Sequence, residues 1–357
     1  MAPTAAPTKS ATSTPVAAAE PTAPVNSFGV DCENLVPQEV VASALSSSAT
    51  AVPPFTQRAD DSPQAWATTS VGGLNCWWSN GVPLDGWNQD ADGSGRWAAL
   101  TVLPGARSAW DAAQERSGAE PELTCFAGDG RTRNVCSIDV LIGDSWAYLL
   151  MQGVGDNEPT SDAEAVEAAT PFLDAIRAAL LPTASSPRYD WEGTVPGDAS
   201  LPASCEDYVP ASELSSLFGV ELGYSSVPHK GLWPRGVAIA DFGVAECLFA
   251  HPDSDNTAGL MAVLPGGRWA YERLFEAKMK THASIEELDI DGLGAKSAFV
   301  ECVELPIRSC TAQVAVAGHW LSVTASNPSS EENDGTAEQL SERAAAYAKR
   351  AVVSLLG

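Results

Sequence analysis

The chain has 357 residues, 45% of them apolar, which is enough for two domains with cores of their own. Its 46 acidic against 20 basic residues give a net charge of -26, which repels phosphate backbones and anionic lipid and argues against nucleic acid as a partner. No apolar run is long enough to cross a bilayer, and an acidic excess of this kind reads as a solvated surface.

In chain order, the first stretch is Ala2 to Pro24, a Pro/Ala/Thr/Ser tract in place of a basic segment followed by an apolar one. Such a tract cannot bury enough surface to fold, so residues 1–26 are expected to form a disordered tether. In bacterial lipoproteins a tether of this composition follows the lipidated cysteine. Any membrane contact is therefore expected only through an N-terminal lipid anchor lying outside this chain.

From there the chain is written twice. Cys136 to Leu150 recurs as Cys310 to Thr324, 174 residues later: a cysteine opens an alternating apolar strand, a glycine turn follows, and Trp146 or Trp320 begins a second strand. The first repeat spans residues 27–182 and the second 203–357, with a Pro/Ser/Gly-rich linker over 183–202. In each, Pro37 or Pro210 pre-sets φ for the first turn of a helix. Short apolar strands around Cys76 and Cys247 come next, then strands ending in Leu103-Pro104-Gly105 and Leu264-Pro265-Gly266. Helices over 106–116 and 268–282 follow that punctuation, with Trp110 matched by Tyr271. Ile138, Val140 and Ile142 share one strand face, as Ala312, Val314 and Val316 do, and turns at Gly143-Asp144 and Gly318-His319 close antiparallel hairpins. An amphipathic helix ends each repeat. Ser161 with Glu164 caps the first, which Pro171 should kink, and Thr336 with Gln339 caps the second. The order α-β-β-α-β-β-β-α, given twice, predicts an α+β fold of two tandem homologous domains, each an antiparallel sheet packed by helices.

Eight cysteines at positions 32, 76, 125, 136, 205, 247, 302 and 310 keep their spacing through the duplication. None forms a Cys-x-x-Cys pattern, so zinc and thiol redox chemistry are poorly supported and disulfides are expected. Cys32–Cys76, Cys125–Cys136, Cys205–Cys247 and Cys302–Cys310 are the pairing put forward here, although four cysteines per repeat allow three connectivities. Such bonds persist outside a reducing cytosol, so the protein is expected to be exported.

Chemistry is harder to find. Oxidised cysteines offer no thiolate, and His229, His251, His282 and His319 form no HExxH pair and read as surface or turn residues. No catalytic residue, metal or cofactor is assigned. The stretch from Cys76 to Trp97 is the richest, since aromatic faces beside carboxylates can stack on a sugar or enclose a cation. Trp87, Trp78, Asp85, Asp90 and Asp92 are its candidate ligand contacts, while Trp77 and Trp97 read as core. Asn88-x-Asp90-x-Asp92-Gly93 starts like an EF-hand loop, but Ala99 stands where the bidentate glutamate belongs, and an ordinary Asp/Gly turn is preferred.

The Cys-Glu-x-x-Val-Pro helix start (Cys32 to Pro37, Cys205 to Pro210), the later cysteine in an aromatic strand, the loop Gly292-Leu293-Gly294 and the Ala-rich last helix resemble cell-envelope lipoproteins of actinobacteria. They also look like the disulfide-bonded extracellular sensor domain of a mycobacterial serine/threonine kinase. This resemblance implies a non-enzymatic binding or sensing module on the outer face of the cytoplasmic membrane. The expected partner is a small molecule, an envelope glycan or a protein. A hydrolase acting on envelope carbohydrate or peptide, and a structural module using both repeats as a bivalent surface, are the alternatives.

Overall fold

The computed structural model describes residues 23–56, 61–81, 95–118, 122–126, 133–155, 159–183, 201–225, 233–252, 257–281, 285–303, 308–326 and 335–356. The tether to residue 22 and most of the linker, 184–200, lie outside them.

In the first repeat, Asp31 caps the one-turn helix α1 (Cys32–Leu35) through the Asn34 amide. Pro37 is the residue just ahead of α2 (Gln38–Ala44), one position earlier than the sequence places it. Then come β1 (Thr50–Ala51), α3 (Pro63–Ser70), β2 (Leu74–Ser79), β3 (Trp97–Leu103), α4 (Arg107–Ser117), β4 (Thr124–Phe126), β5 (Val135–Ile142), β6 (Ser145–Gln152) and α5 (Asp162–Leu180). α5 is capped by Ser161 and runs as one helix through Pro171.

The second repeat gives α6 (Cys205–Tyr208), α7 (Ala211–Phe218), β7 (Gly223–Ser225), α8 (Pro234–Phe242), β8 (Ala245–Ala250) and β9 (Thr257–Leu264). It continues with α9 (Arg268–Lys280), β10 (Ile285–Glu287), β11 (Ala298–Val303), β12 (Ser309–Val316), β13 (His319–Ser326) and α10 (Ala337–Leu356). Ahead of α10, Thr336 and Gln339 exchange side-chain-to-amide bonds of 2.9 and 3.2 Å in a complete capping box.

The fold is α+β with two antiparallel sheets, β1-β2-β3-β6-β5-β4 and β10-β11-β12-β13-β9-β8-β7. All four disulfides have the pairing put forward from the sequence, out of the three connectivities open to each repeat. Cys32–Cys76 and Cys205–Cys247 tie each first helix to an inner strand. Cys125–Cys136 and Cys302–Cys310 each link residues directly opposite one another on neighbouring strands. On the chain-entropy account each contributes roughly 2–4 kcal/mol. Four such bonds belong in an oxidising compartment, outside a reducing cytosol. No helix among the described residues is long and apolar enough to cross a membrane.

One face of each sheet packs on its own terminal helix. Leu100, Leu149 and Met151 meet Phe172, Leu173 and Ile176 in the first repeat. Met261, Leu321 and Val323 meet Tyr347, Ala348 and Ala351 in the second. The opposite faces turn toward the other repeat, and here the structure departs from the expected element order. α3 and α8 do not figure in that order, yet they form the layer between the sheets. α3 lies against β9 and β13 of the second repeat, α8 lies against β3 and β6 of the first, and the two helices pack on each other. A third apolar cluster fills this junction, joining Trp66, Leu103 and Trp146 to Leu264, Trp269 and Trp320. Phe55 stacks on Trp66 at 3.8 Å between centroids, and Trp269 meets Trp66 edge-on at 5.7 Å.

Candidate binding face

The sheet face turned toward the junction is where the repeats differ. In the first sheet, alternation of side chains puts Trp77, Ala99, Leu150, Ser137 and Thr124 in one row across five strands. The neighbouring row holds Asn75, Thr101, Tyr148 and Asp139. At the Asn75 end the row is tied down: Asn75 accepts from the Thr101 hydroxyl at 3.2 Å and donates to the Ala65 carbonyl of α3 at 3.0 Å. At the other end Tyr148 and Asp139 are directly opposite one another, and both are half-buried, as are Ser137, Leu141 and Leu150.

The matching row of the second sheet is Glu246, Ala262, Ser322, Gln313 and Phe299. Here Ser322, Gln313 and Phe299 are buried. α9 lies along β12 and β13, and α3 of the first repeat also lies on β13. Tyr271 and Phe275 of α9 reach Phe299 at ring-centroid distances of 5.9 and 5.8 Å, and Leu274 is fully enclosed. Counted from Leu-Pro-Gly, the α4 residues at the Leu274 and Phe275 positions are Ala113 and Gln114; counted back from the cysteine, Phe299 is matched by Glu122. Three large apolar side chains, each contributing about 1.5–3 kcal/mol on burial, are thus replaced by one methyl group and two polar residues. Of the α4 residues only Ala113 is buried.

Electrostatics follow the same division. The Trp146 indole N–H donates to Asp139 at 2.9 Å, and in the second repeat Trp320 donates to Gln313 at 2.8 Å. Gln313 also donates to the Asp61 carbonyl at 2.6 Å, across the junction. Beside it Lys278 bridges Asp61 at 2.5 Å and Glu301 at 2.8 Å. Burial works against the Lys278 ammonium, yet the two carboxylates outweigh it and hold its pKa above the ordinary lysine value. Asp139 has no such cation among the described residues: burial holds its carboxyl above the ordinary carboxylate range, and the indole N–H offsets this only in part. Burial, and then the Asp139 charge, also pushes the Tyr148 hydroxyl up.

No family model and no curated protein matches the chain. Among solved structures, the di-domain ARO/CYC StfQ from the steffimycin biosynthetic pathway aligns over 91% of this chain and 90% of its own, at 10% identity and a TM-score of 0.16. DynU16, from the dynemicin biosynthetic locus, aligns over 86% and 96%, at 12% identity and a TM-score of 0.12. Likenesses that weak carry no argument about fold or function.

Trp87, Asp85, Asp90 and Asp92 lie outside the described residues, as does the segment from Asn88 to Gly93. Trp78 is corrected: its side chain has no exposure and packs edge-on against Phe172 at 5.1 Å, so it belongs to the core and has no surface to offer a ligand. Trp77 keeps some exposure, while Trp97, 5.4 Å from it, is buried. His319 is corrected too. It starts β13 rather than lying in an open turn, is 2% exposed, and accepts from the Gly266 amide through Nδ1 at 3.3 Å. His229 and His282 lie outside the described residues, and among those described no cluster of three or more metal-ligating side chains occurs. Sequence reading passed over Asp139 and Tyr148. The signal available was a charged residue between Ile138 and Val140, on the strand face opposite the one assigned to the core.

Proposed function

We propose that the protein is an exported binding protein of the cell envelope, held there by a lipid anchor, that engages a ligand or partner without catalysing a reaction. The first repeat presents the contact surface and the second braces it. The observation that carries this reading is the contrast of the two equivalent rows: Ser322 and Gln313 are buried, whereas Tyr148 and Asp139 stay half-exposed beside α4. A fold that keeps one copy closed has a rigid base on which to leave the other open, as binding faces on rigid elements require. Four disulfides support the extracytoplasmic setting. The lipid anchor rests on the Pro/Ala/Thr/Ser composition of the N-terminal tract, and the absence of catalysis on resemblance to envelope lipoproteins and kinase sensor domains.

The test is a thermal-shift screen of the oxidised protein against envelope glycans, calcium and organic amines, repeated on Leu150→Asp. A ligand that binds the native state raises the midpoint by mass action. The expected hit loses its shift in Leu150→Asp. A hit that keeps its full shift in that variant lies elsewhere and ends this assignment of the face.

A further inference from the structure

We infer that the first-repeat face is built to receive an organic cation, an ammonium or guanidinium group seated on Asp139 against the ring of Tyr148. The inference rests on the assignment of that face to ligand binding and adds the chemistry of the ligand.

Three observations combine. First, Asp139 is half-buried on a strand with no basic side chain in ion-pairing distance among the described residues, although two other half-buried acids at the junction, Asp61 and Glu301, share Lys278. A partly desolvated carboxylate without a counter-charge is unfavourable for folding alone. Second, the structural task at this position needs no charge. Gln313 occupies the equivalent place and accepts the equivalent indole N–H with a neutral amide. The carboxylate therefore exceeds what the fold asks for. Third, Tyr148 stands directly across from Asp139 on the neighbouring strand, with Leu150 and Ser137 in the next row. An aromatic ring and an aliphatic side chain beside a carboxylate are the components that hold the charged and apolar ends of an amine or guanidine. The net charge of -26 adds a long-range field that concentrates cations at the surface.

The experiment is isothermal titration of the full oxidised chain with phenethylammonium and benzamidinium, and with hydrocinnamate as the anionic shape analogue. A second arm uses the tripeptide Gly-Lys-Gly, which presents the same ammonium as a partner's lysine would. The cations are expected to bind and hydrocinnamate is not. In Asp139→Asn, which keeps an acceptor for Trp146, cation affinity should fall at least tenfold while the unfolding midpoint at neutral pH stays at or above that of the unmodified chain; Tyr148→Leu should weaken it by a smaller factor. Tighter binding of the tripeptide than of the free amines would identify the source as a protein side chain, and the reverse a small molecule. Equal cation affinity in Asp139→Asn, or no cation binding in the millimolar range, overturns the inference. In that event hydrogen exchange separates the two claims: a non-cationic ligand that slows exchange in β5 and β6 leaves the face in place and removes only the cation.

Discussion

Residues 137–150 and 311–324 fold as the same hairpin, with Trp146 and Trp320 anchoring their indoles at the same point, yet one hairpin is roofed and the other is not. The difference does not lie in the strands. It lies in the helix after Leu-Pro-Gly and in the residue three before the following cysteine, where Leu274, Phe275 and Phe299 stand against Ala113, Gln114 and Glu122. A duplicated fold can thus change what a sheet face does without changing the sheet. Lys278 shows the same logic in charge: it closes the second repeat against Asp61 of the first, while its counterpart by position in α4 is Ser117.

Removing the central ring of the roof over the second sheet should cost far more than the matched change in the first repeat. Phe299→Ala is expected to lose about 3–5 kcal/mol, the usual cost of deleting a fully buried phenylalanine. Glu122→Ala, at an exposed position, should stay within roughly 0.5 kcal/mol. Urea unfolding of the two oxidised variants measures both, and equal losses would break the comparison. Lys278→Met should come next, costing about 3 kcal/mol, because it strands two carboxylates that are only 13% and 24% exposed. Ser117→Met should be near neutral. Since Lys278 joins the repeats, its loss should also speed amide exchange in α3, which lies on the second sheet.

Much of this was readable from residues, and the unread parts share a cause. The paired cysteines, hairpins, capped terminal helices and duplication are local or repeat at fixed spacing, so they appear in the sequence. α3 did not, because Pro63, Gln64, Ala65, Trp66, Ala67 and Thr68 are all buried between two sheets and leave no polar stripe to mark a helix period. α8 sits in the same layer, and Val237, Ala238 and Ile239 in succession are buried there. The candidate face was missed for the converse reason. Alternation put Asp139 on the strand face away from the terminal helix, but whether that face is covered depends on which side chains α4 sends toward it, and that is a tertiary fact. Trp78 misled because β2 carries tryptophans on both faces, and spacing alone does not say which of the two is inside.

The smallest expected effects are in pH, and they have opposite signs in the two repeats. His319 stands where the first repeat has Ser145. Burial holds its imidazole below the ordinary value of 6.5, so the unfolded chain takes up a proton before the folded one does. Stability is therefore full above about pH 6.5 and falls as pH drops through the folded value. Asp139 is raised, so the folded state binds its proton first, and this group adds stability as pH falls from neutral toward the ordinary carboxylate value of 3.8. Urea midpoints between about pH 7 and pH 4 should accordingly decline less in His319→Gln than in the unmodified chain, while Asp139→Asn should lose the compensating gain and decline more. Asp139→Asn flattening the profile instead would mean that the carboxylate is already paired at neutral pH, and the open face would then resemble the closed one in charge as well as in strand geometry.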